Sequence, residues 1–328
     1  MITIKADKKT KKKLKEEDKK LTYEILKELN IGDTLSNEED IEKEEVKVNR
    51  KKILFLRKEF VYLFLVLFVI FGGYSGARIL LWSNDARSTE KQIEKINNEV
   101  NVEEVKDTSE TIIVNPPKEE KVQRENPYWD YIKMNLINVD FSKIKSINSD
   151  TVGWIKVNGT NINYPFVQTN DNTYYLKKDF NKKYNSAGWV FMDYRNSVKD
   201  FDKNTILYAH GRVDGTMFGS LKNITKSNWY NNSDNHVVKL STEYENTLWQ
   251  VFSIYRIPEV SDYLDIDFNN NEEYVKFLEM LQNRSEYKFD VSLNEEDKIL
   301  TLSTCYKEND RVVLHAKLIK MEVRNGNN

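Results

Sequence analysis

The chain has 328 residues, with 50 Lys and Arg against 52 Asp and Glu, for a formal net charge of −2. That balance removes any global electrostatic argument for nucleic-acid binding. One cysteine excludes an intramolecular disulfide and a multi-cysteine zinc site; no other ligand set is visible, so no metal and no cofactor are expected.

The first 52 residues are dominated by Lys and Glu, as in "KKTKKKLKEEDKKLTYEILKELN". Leu14, Leu21, Ile25 and Leu29 could form a weak apolar stripe on a helix. Charge this dense cannot bury a core, so a solvated tail is expected. "FVYLFLVLFVIFGGYSGA", Phe60 to Ala77, then runs without a charge, and Arg78 to Trp82 extend it. The stretch reaches the length that crosses a hydrocarbon core, about 20 residues. A cleavable signal peptide is the competing reading. The long charged segment ahead and the lack of a small-residue cleavage site oppose it. Lys47, Arg50, Lys51, Lys52, Arg57 and Lys58 flank the run upstream, against Arg78, Arg87 and Lys91 downstream. The positive-inside rule puts the N-terminus in the cytosol and the bulk of the chain outside, with Trp82 at the outer interface. Residues 83–125 are polar and include "NPPKEE", which reads as a linker.

From residue 126 the texture changes. Asn126 is expected to cap a short helix that has Pro127 at its first position. Strand-like runs rich in Val, Ile, Tyr, Phe and Trp follow at 152–157, 162–168, 188–193, 205–210, 236–241, 247–257, 299–305 and 311–323. One helix interrupts them: Tyr274, Phe277, Leu278 and Leu281 fall at i, i+3, i+4 and i+7 in "NEEYVKFLEMLQNR". The expected fold is mainly β, an eight-stranded closed or nearly closed barrel with a few helices.

The chain has three histidines. His236 and His315 lie within strand runs and are expected to be packing residues. His210 ends a strand and opens a polar loop, "GRVDGTMFGSL", the position that favours a catalytic group. Cys305 also ends a strand. As an isolated residue it reads first as a small buried hydrophobe, and its context shifts that reading. Ser303 and Thr304 precede it, and Arg311 opens the next strand. If the two strands pair, the guanidinium returns to the Cys305 end, where it would stabilise a thiolate or an oxyanion. Asp193 reads as a turn cap, or as a group that orients His210.

"TLSTC" followed by Arg at a strand start resembles the sortase signature. "YAHGRVDGTMFGSL", "INYPFVQTNDNTYYL" and "WVFMDYRN" resemble class B sortases, as does a helix at 271–285 between the sixth and seventh strands. The likeness runs over 126–323, although the Cys305-to-Arg311 spacing is shorter than the class pattern. It implies an eight-stranded sortase barrel and a division into a charged cytosolic tail (1–59), a transmembrane helix (60–82), an extracytoplasmic linker (83–125) and a catalytic domain (126–328).

It further implies that Cys305 attacks the Thr carbonyl of an NPxTx or LPxTx sorting motif and holds a thioacyl intermediate. An amine of a cell-wall precursor or a pilin then resolves it. His210 would be the acid and base, and Arg311 would hold the oxyanion or the motif backbone. Asn172, Leu176, Ser303 and Thr304 would contact substrate. The implied partners are surface proteins with a C-terminal sorting signal, that amine and the lipid bilayer, with no nucleic acid. The implied location is the cell membrane. Two other functions stay open: the same chemistry ending on water, and a non-catalytic surface binding protein. The charged tail reads as an orientation tag or as a segment that binds a cytosolic partner or anionic lipid.

Overall fold

The computed structural model describes residue 20 and residues 38–117, 127–306 and 310–324; side chains at 38–57, 59, 305 and 306 are not among those described. The Leu14, Leu21, Ile25 and Leu29 stripe and the Asn126 cap therefore lie outside the described residues. The chain divides into two compact units, Met1–Arg78 and Ile79–Asn328.

Helix α1 is Glu38–Glu99. Within it, Phe60–Glu99 is long and apolar enough to cross a membrane, with a mean hydropathy of 2.0 over its most apolar window and none of that window buried. Phe64 and Phe68 are among its exposed apolar side chains. Water would penalise that exposure and a hydrocarbon phase would not.

The second unit is built on a closed barrel. Its strands are β4 (Thr151–Val157), β5 (Asn163–Val167), β6 (Phe191–Met192), β7 (Asn204–Ala209), β8 (Val237–Thr242), β9 (Glu245–Pro258), β10 (Ile299–Tyr306) and β11 (Asp310–Val323). They are ordered β10-β7-β6-β5-β4-β8-β9-β11, and pairing of β10 with β11 closes the ring. Each of the eight expected runs contributes one strand. The run at 188–193 contributes only Phe191 and Met192. The β5–β6 and β7–β10 pairs are parallel and the other barrel pairs antiparallel.

The barrel strands read as unbroken apolar runs because both faces are covered. Leu300, Leu302, Val312 and Leu314 belong to the main core. Ile299 and Val313, on the opposite parity, pack with Phe252 and Tyr255 under helix α5 (Asn271–Asn283). Asn270 caps α5 by accepting from the Glu273 amide at 2.9 Å. Tyr274, Phe277, Leu278 and Leu281 are its buried residues, as their spacing predicts. Each contributes roughly 1.5–3 kcal/mol through burial. Short helices α2 (Tyr128–Tyr131), α3 (Phe141–Ile147) and α4 (Ser227–Tyr230) lie between strands.

Residues 83–125 carry more structure than their polar composition announces. They include β1 (Val102–Val105), which pairs with β3 (Leu136–Val139), and β2 (Thr111–Ile113), which pairs with β11. Besides strand pairing and the packing of Val102 and Val105, buried charges hold this segment. Lys239 and Lys320 are buried on barrel strands. A buried ammonium requires a partner. Glu104 supplies one to Lys239 at 3.2 Å, and Asp107 supplies one to Lys320 at 2.6 Å. Lys320 also donates to the carbonyls of Ile132 and Met134, both at 2.7 Å.

This packing makes two positions sensitive to substitution. A Cβ on Gly153 would stand 2.2 Å from the Phe166 ring. Gly153→Ala is expected to destabilise by about 1–3 kcal/mol, measured by thermal melting of the full chain in detergent. Burial pushes the Glu245 carboxyl up to about 7, opposed by Lys298 and reinforced by Asp200. Between the ordinary carboxylate range and pH 7 the folded state therefore binds more protons than the unfolded one. Stability falls as pH rises through that window and stays low above it. Glu245→Gln is expected to stabilise the protein by on the order of 2 kcal/mol at pH 8 and to change little at pH 5. Melts at the two pH values test this.

Candidate active site

Strand β10 has a neighbour on each side, and both carry chemistry to the same end. Against β7 the parallel register pairs Ser303 with Tyr208 and Thr304 with Ala209. One residue further along each strand come Cys305 and His210. Against β11 the antiparallel register pairs Cys305 directly with Arg311. The backbone thus brings the three positions to one rim of the barrel. The Cys305 side chain lies outside the described residues.

His210 is half-buried, and its ring is held on two sides. Nε2 lies 2.8 Å from the Leu176 carbonyl oxygen. A carbonyl only accepts, so Nε2 carries the hydrogen and donates it. Nδ1 is then left for proton exchange. Gly188 closes the other side at φ +61°, where a Cβ would stand 2.6 Å from the Tyr175 carbonyl oxygen and 3.1 Å from His210 Cδ2. Only glycine permits both that backbone conformation and that approach to the ring.

Arg311 is mostly buried and pairs with Glu259, Nη2 to Oε1, at 2.5 Å; Glu259 is 66% exposed. Glu259 follows directly on β9, whose Ile257 pairs with Arg311 in the sheet. An ion pair with one partner this exposed is weak, about 0–1 kcal/mol.

Asn172, Leu176, His210, Ser303, Thr304 and Arg311 all border one cavity of about 520 Å³. Tyr208, Glu259 and Tyr263 border it too, and sequence reasoning missed them. Ser303 Oγ lies 2.9 Å from Tyr263 Oη. The Thr304 hydroxyl is buried without a hydrogen-bond partner among the described residues. Asn172 has both ends of its amide engaged: it donates to Asp193 Oδ2 and accepts from the Tyr194 amide, both at 3.0 Å. That amide shapes the cavity wall.

Asp193 is fully buried and caps its own turn, accepting from the Arg195 amide at 3.0 Å. It also accepts from the Arg195 guanidinium through Nε and Nη2, both at 2.9 Å, and from the Tyr208 hydroxyl at 2.9 Å. Burial pushes its carboxyl up, but these bonds outweigh burial and hold it below the usual carboxylate range. The group that bonds the His210 ring is the Leu176 carbonyl, so the turn-cap reading of Asp193 is the one this geometry matches.

The other two histidines lie away from the cavity. His315 is completely buried between Tyr255 Oη at 2.8 Å and Thr301 Oγ1 at 2.9 Å. Burial, with the charge of Arg284, lowers it to about 3. His236 bonds the Tyr230 carbonyl at 2.8 Å, and burial lowers it as well. Among the described residues no group of three or more His, Cys, Asp or Glu could hold a metal ion.

A Sortase domain family model matches residues 155–319. Sortase B of Staphylococcus aureus (strain NCTC 8325 / PS 47) is 38% identical over 189 residues, covering 56% of this chain and 77% of that protein. Among solved structures, the Staphylococcus aureus sortase B–substrate complex is similar at 38% identity and a TM-score of 0.52, over 55% of this chain and 84% of that chain. A sortase B complexed with triglycine is similar at 38% identity and a TM-score of 0.52, over 55% of this chain and 85% of that chain. The barrel, the signature at the β10–β11 rim and these likenesses agree: the chain belongs to the sortase family, on its class B branch.

Proposed function

We propose that this sortase is a membrane-anchored cysteine transpeptidase that joins proteins bearing a C-terminal sorting signal to an amine outside the cell. One observation carries it: the two-sided register of β10, which sets Cys305 opposite Arg311 and one residue past the β7 pairing that ends before His210. The likeness to a sortase B solved with substrate, and to one solved with triglycine, supports a sorting-signal donor and an amine acceptor.

The chemistry runs in two displacements. The Cys305 thiolate attacks the Thr carbonyl carbon of an NPxTx- or LPxTx-type motif. The oxyanion that forms draws on the Arg311 guanidinium, which leaves the weakly held Glu259. His210 gives a proton to the leaving amine as the C–N bond breaks, and a thioester on Cys305 remains. An amine of a cell-wall precursor or a pilin then attacks the thioester. His210 removes the proton from that amine, a new amide forms, and the thiolate leaves. The Leu176 carbonyl fixes the ring so that Nδ1 is the exchanging atom. Leu176, Ser303 and Thr304 offer cavity wall to the motif, with Asn172 setting the wall's shape.

The apolar run from Phe60 to Trp82 anchors the chain as a single span, with residues 1–59 in the cytosol and the domain of residues 126–328 outside. If water replaces the amine, the same intermediate gives hydrolysis.

Mass spectrometry tests the enzyme directly. The full chain in detergent, incubated with NPxTx and LPxTx peptides, is expected to gain the acyl fragment on Cys305, and Cys305→Ala to gain none. No adduct with any sorting peptide would remove the enzyme reading in favour of a binding protein. An added oligoglycine or diaminopimelate amine is expected to appear in the product; a purely hydrolysed product would identify a hydrolase. Steady-state kinetics separate the two members of the ion pair. Arg311→Ala is expected to lower kcat/KM by about 100-fold or more, whereas Glu259→Ala changes it by less than about 5-fold.

A further inference from the structure

The last turns of α1 belong to the same compact unit as the barrel and contact two segments next to His210. Asp85, Thr89 and Gln92 recur at i, i+4 and i+7, so they share one helix face. All three meet the segment 180–186. Asp85 Oδ2 accepts from the Ser186 amide at 3.0 Å and from its hydroxyl at 2.5 Å. Thr89 Oγ1 accepts from Asn185 Nδ2 at 3.1 Å, and Gln92 Oε1 accepts from the Phe180 amide at 3.3 Å. Thr89 and Asn185 are 1% and 2% exposed.

Asn185 relays this docking toward the ring. Its amide donates to the Lys177 carbonyl at 3.0 Å, next to Leu176, and its own carbonyl accepts from the Gly188 amide at 3.1 Å. Leu176 and Gly188 are the two residues that seat the imidazole. A second contact reaches the same residue from its chain side. The Trp82 ring lies 5.4 Å from the buried guanidinium of Arg212, whose amide donates to the His210 carbonyl at 3.2 Å. The helix therefore grips the segment beside the ring and the loop that follows it.

We propose that Trp82, Asp85 and Thr89 are positioning residues: they set the orientation and the tautomer of His210 from the membrane-proximal helix. This rests on the reading of His210 as the acid and base of the reaction. None of the three touches the cavity. Their effect passes through Asn185 to Leu176 and Gly188, and through Arg212 to the His210 backbone. Among the described residues, the charged groups that share the cavity with His210 are Glu259 and Arg311, which already pair with each other.

Three histidines make the test clean. The full chain is prepared in detergent with ¹⁵N-labelled histidine, and the ring nitrogen shifts are recorded for wild type, Asp85→Ala, Trp82→Ala and the double variant. The expected result is that His210 leaves the pure Nε2–H signature while His236 and His315 keep theirs. Peptide cleavage is expected to lose about 10-fold in kcat at unchanged KM. Asp85→Asn keeps one acceptor oxygen and is expected to restore the His210 signature. A double variant whose His210 shifts and kcat equal those of wild type overturns the proposal. So does a variant in which all three histidines shift together, because the contact then supports only the fold. Activity of His210→Ala is measured alongside: retained activity would remove His210 from the reaction without altering what its ring shifts report.

Discussion

Everything at the candidate site depends on β10 being paired on both edges with partners of opposite direction. A parallel neighbour and an antiparallel neighbour cannot be exchanged, because their hydrogen bonds are spaced differently along the strand. Pairing with β11 closes the barrel and sets Arg311 across from Cys305. Pairing with β7 aligns the strand with the run that ends before His210. A parallel pair needs a long crossover, and here β8, β9 and α5 fill it. The crossover does more than connect: it supplies Glu259 and Tyr263 to the cavity wall and α5 to the outer face of β10. Closure, core and site are three consequences of one strand's neighbours.

The electrostatic arrangement is divided by depth. Deep charges are matched, as with Asp193 under Arg195 and Tyr208, and Lys317 at 3.0 Å from Asp297. At the cavity mouth the pairing is loose, since Glu259 is largely in solvent. Breaking a deep pair leaves an uncompensated buried charge, at about 3–5 kcal/mol. Opening the shallow pair costs little. These deep pairs are thus costly to break, while the guanidinium that borders the cavity is held by a largely exposed partner. The two buried histidines follow the same division: each is wired into the core, and only His210 borders the cavity.

Much of this was legible in the sequence, for identifiable reasons. The eight barrel strands announced themselves through β-branched and aromatic runs, and α5 through the spacing of Tyr274, Phe277, Leu278 and Leu281. The residues gathered at the rim carried chemistry at strand ends and matched a family signature. Three things were hidden. β1 and β2 lie in polar sequence, and the lysines that hold them sit more than a hundred residues away. Glu259 and Tyr263 reach the cavity through the path of a loop, which no local pattern encodes. Gly188 was read only as the start of the strand run at 188–193; its positive φ, and the Tyr175 carbonyl and His210 ring packed against its missing side chain, appear only in the fold. In each case the information is in tertiary contact, not in spacing.

The two buried lysines of β11 have a consequence for folding fidelity. Lys317 and Lys320 lie three residues apart on one strand, and each meets its own carboxylate from a different part of the chain. A slip in strand pairing by one residue turns every side chain to the opposite face. A slipped β11 would strand two ammonium groups away from their carboxylates at once. It would also move Arg311 off the residue it opposes. The lysines thus act as an alignment key: Lys320, which meets Asp107 of the N-terminal segment, and Lys317, which meets Asp297 just ahead of β10, both match the register on which the rim of the barrel relies.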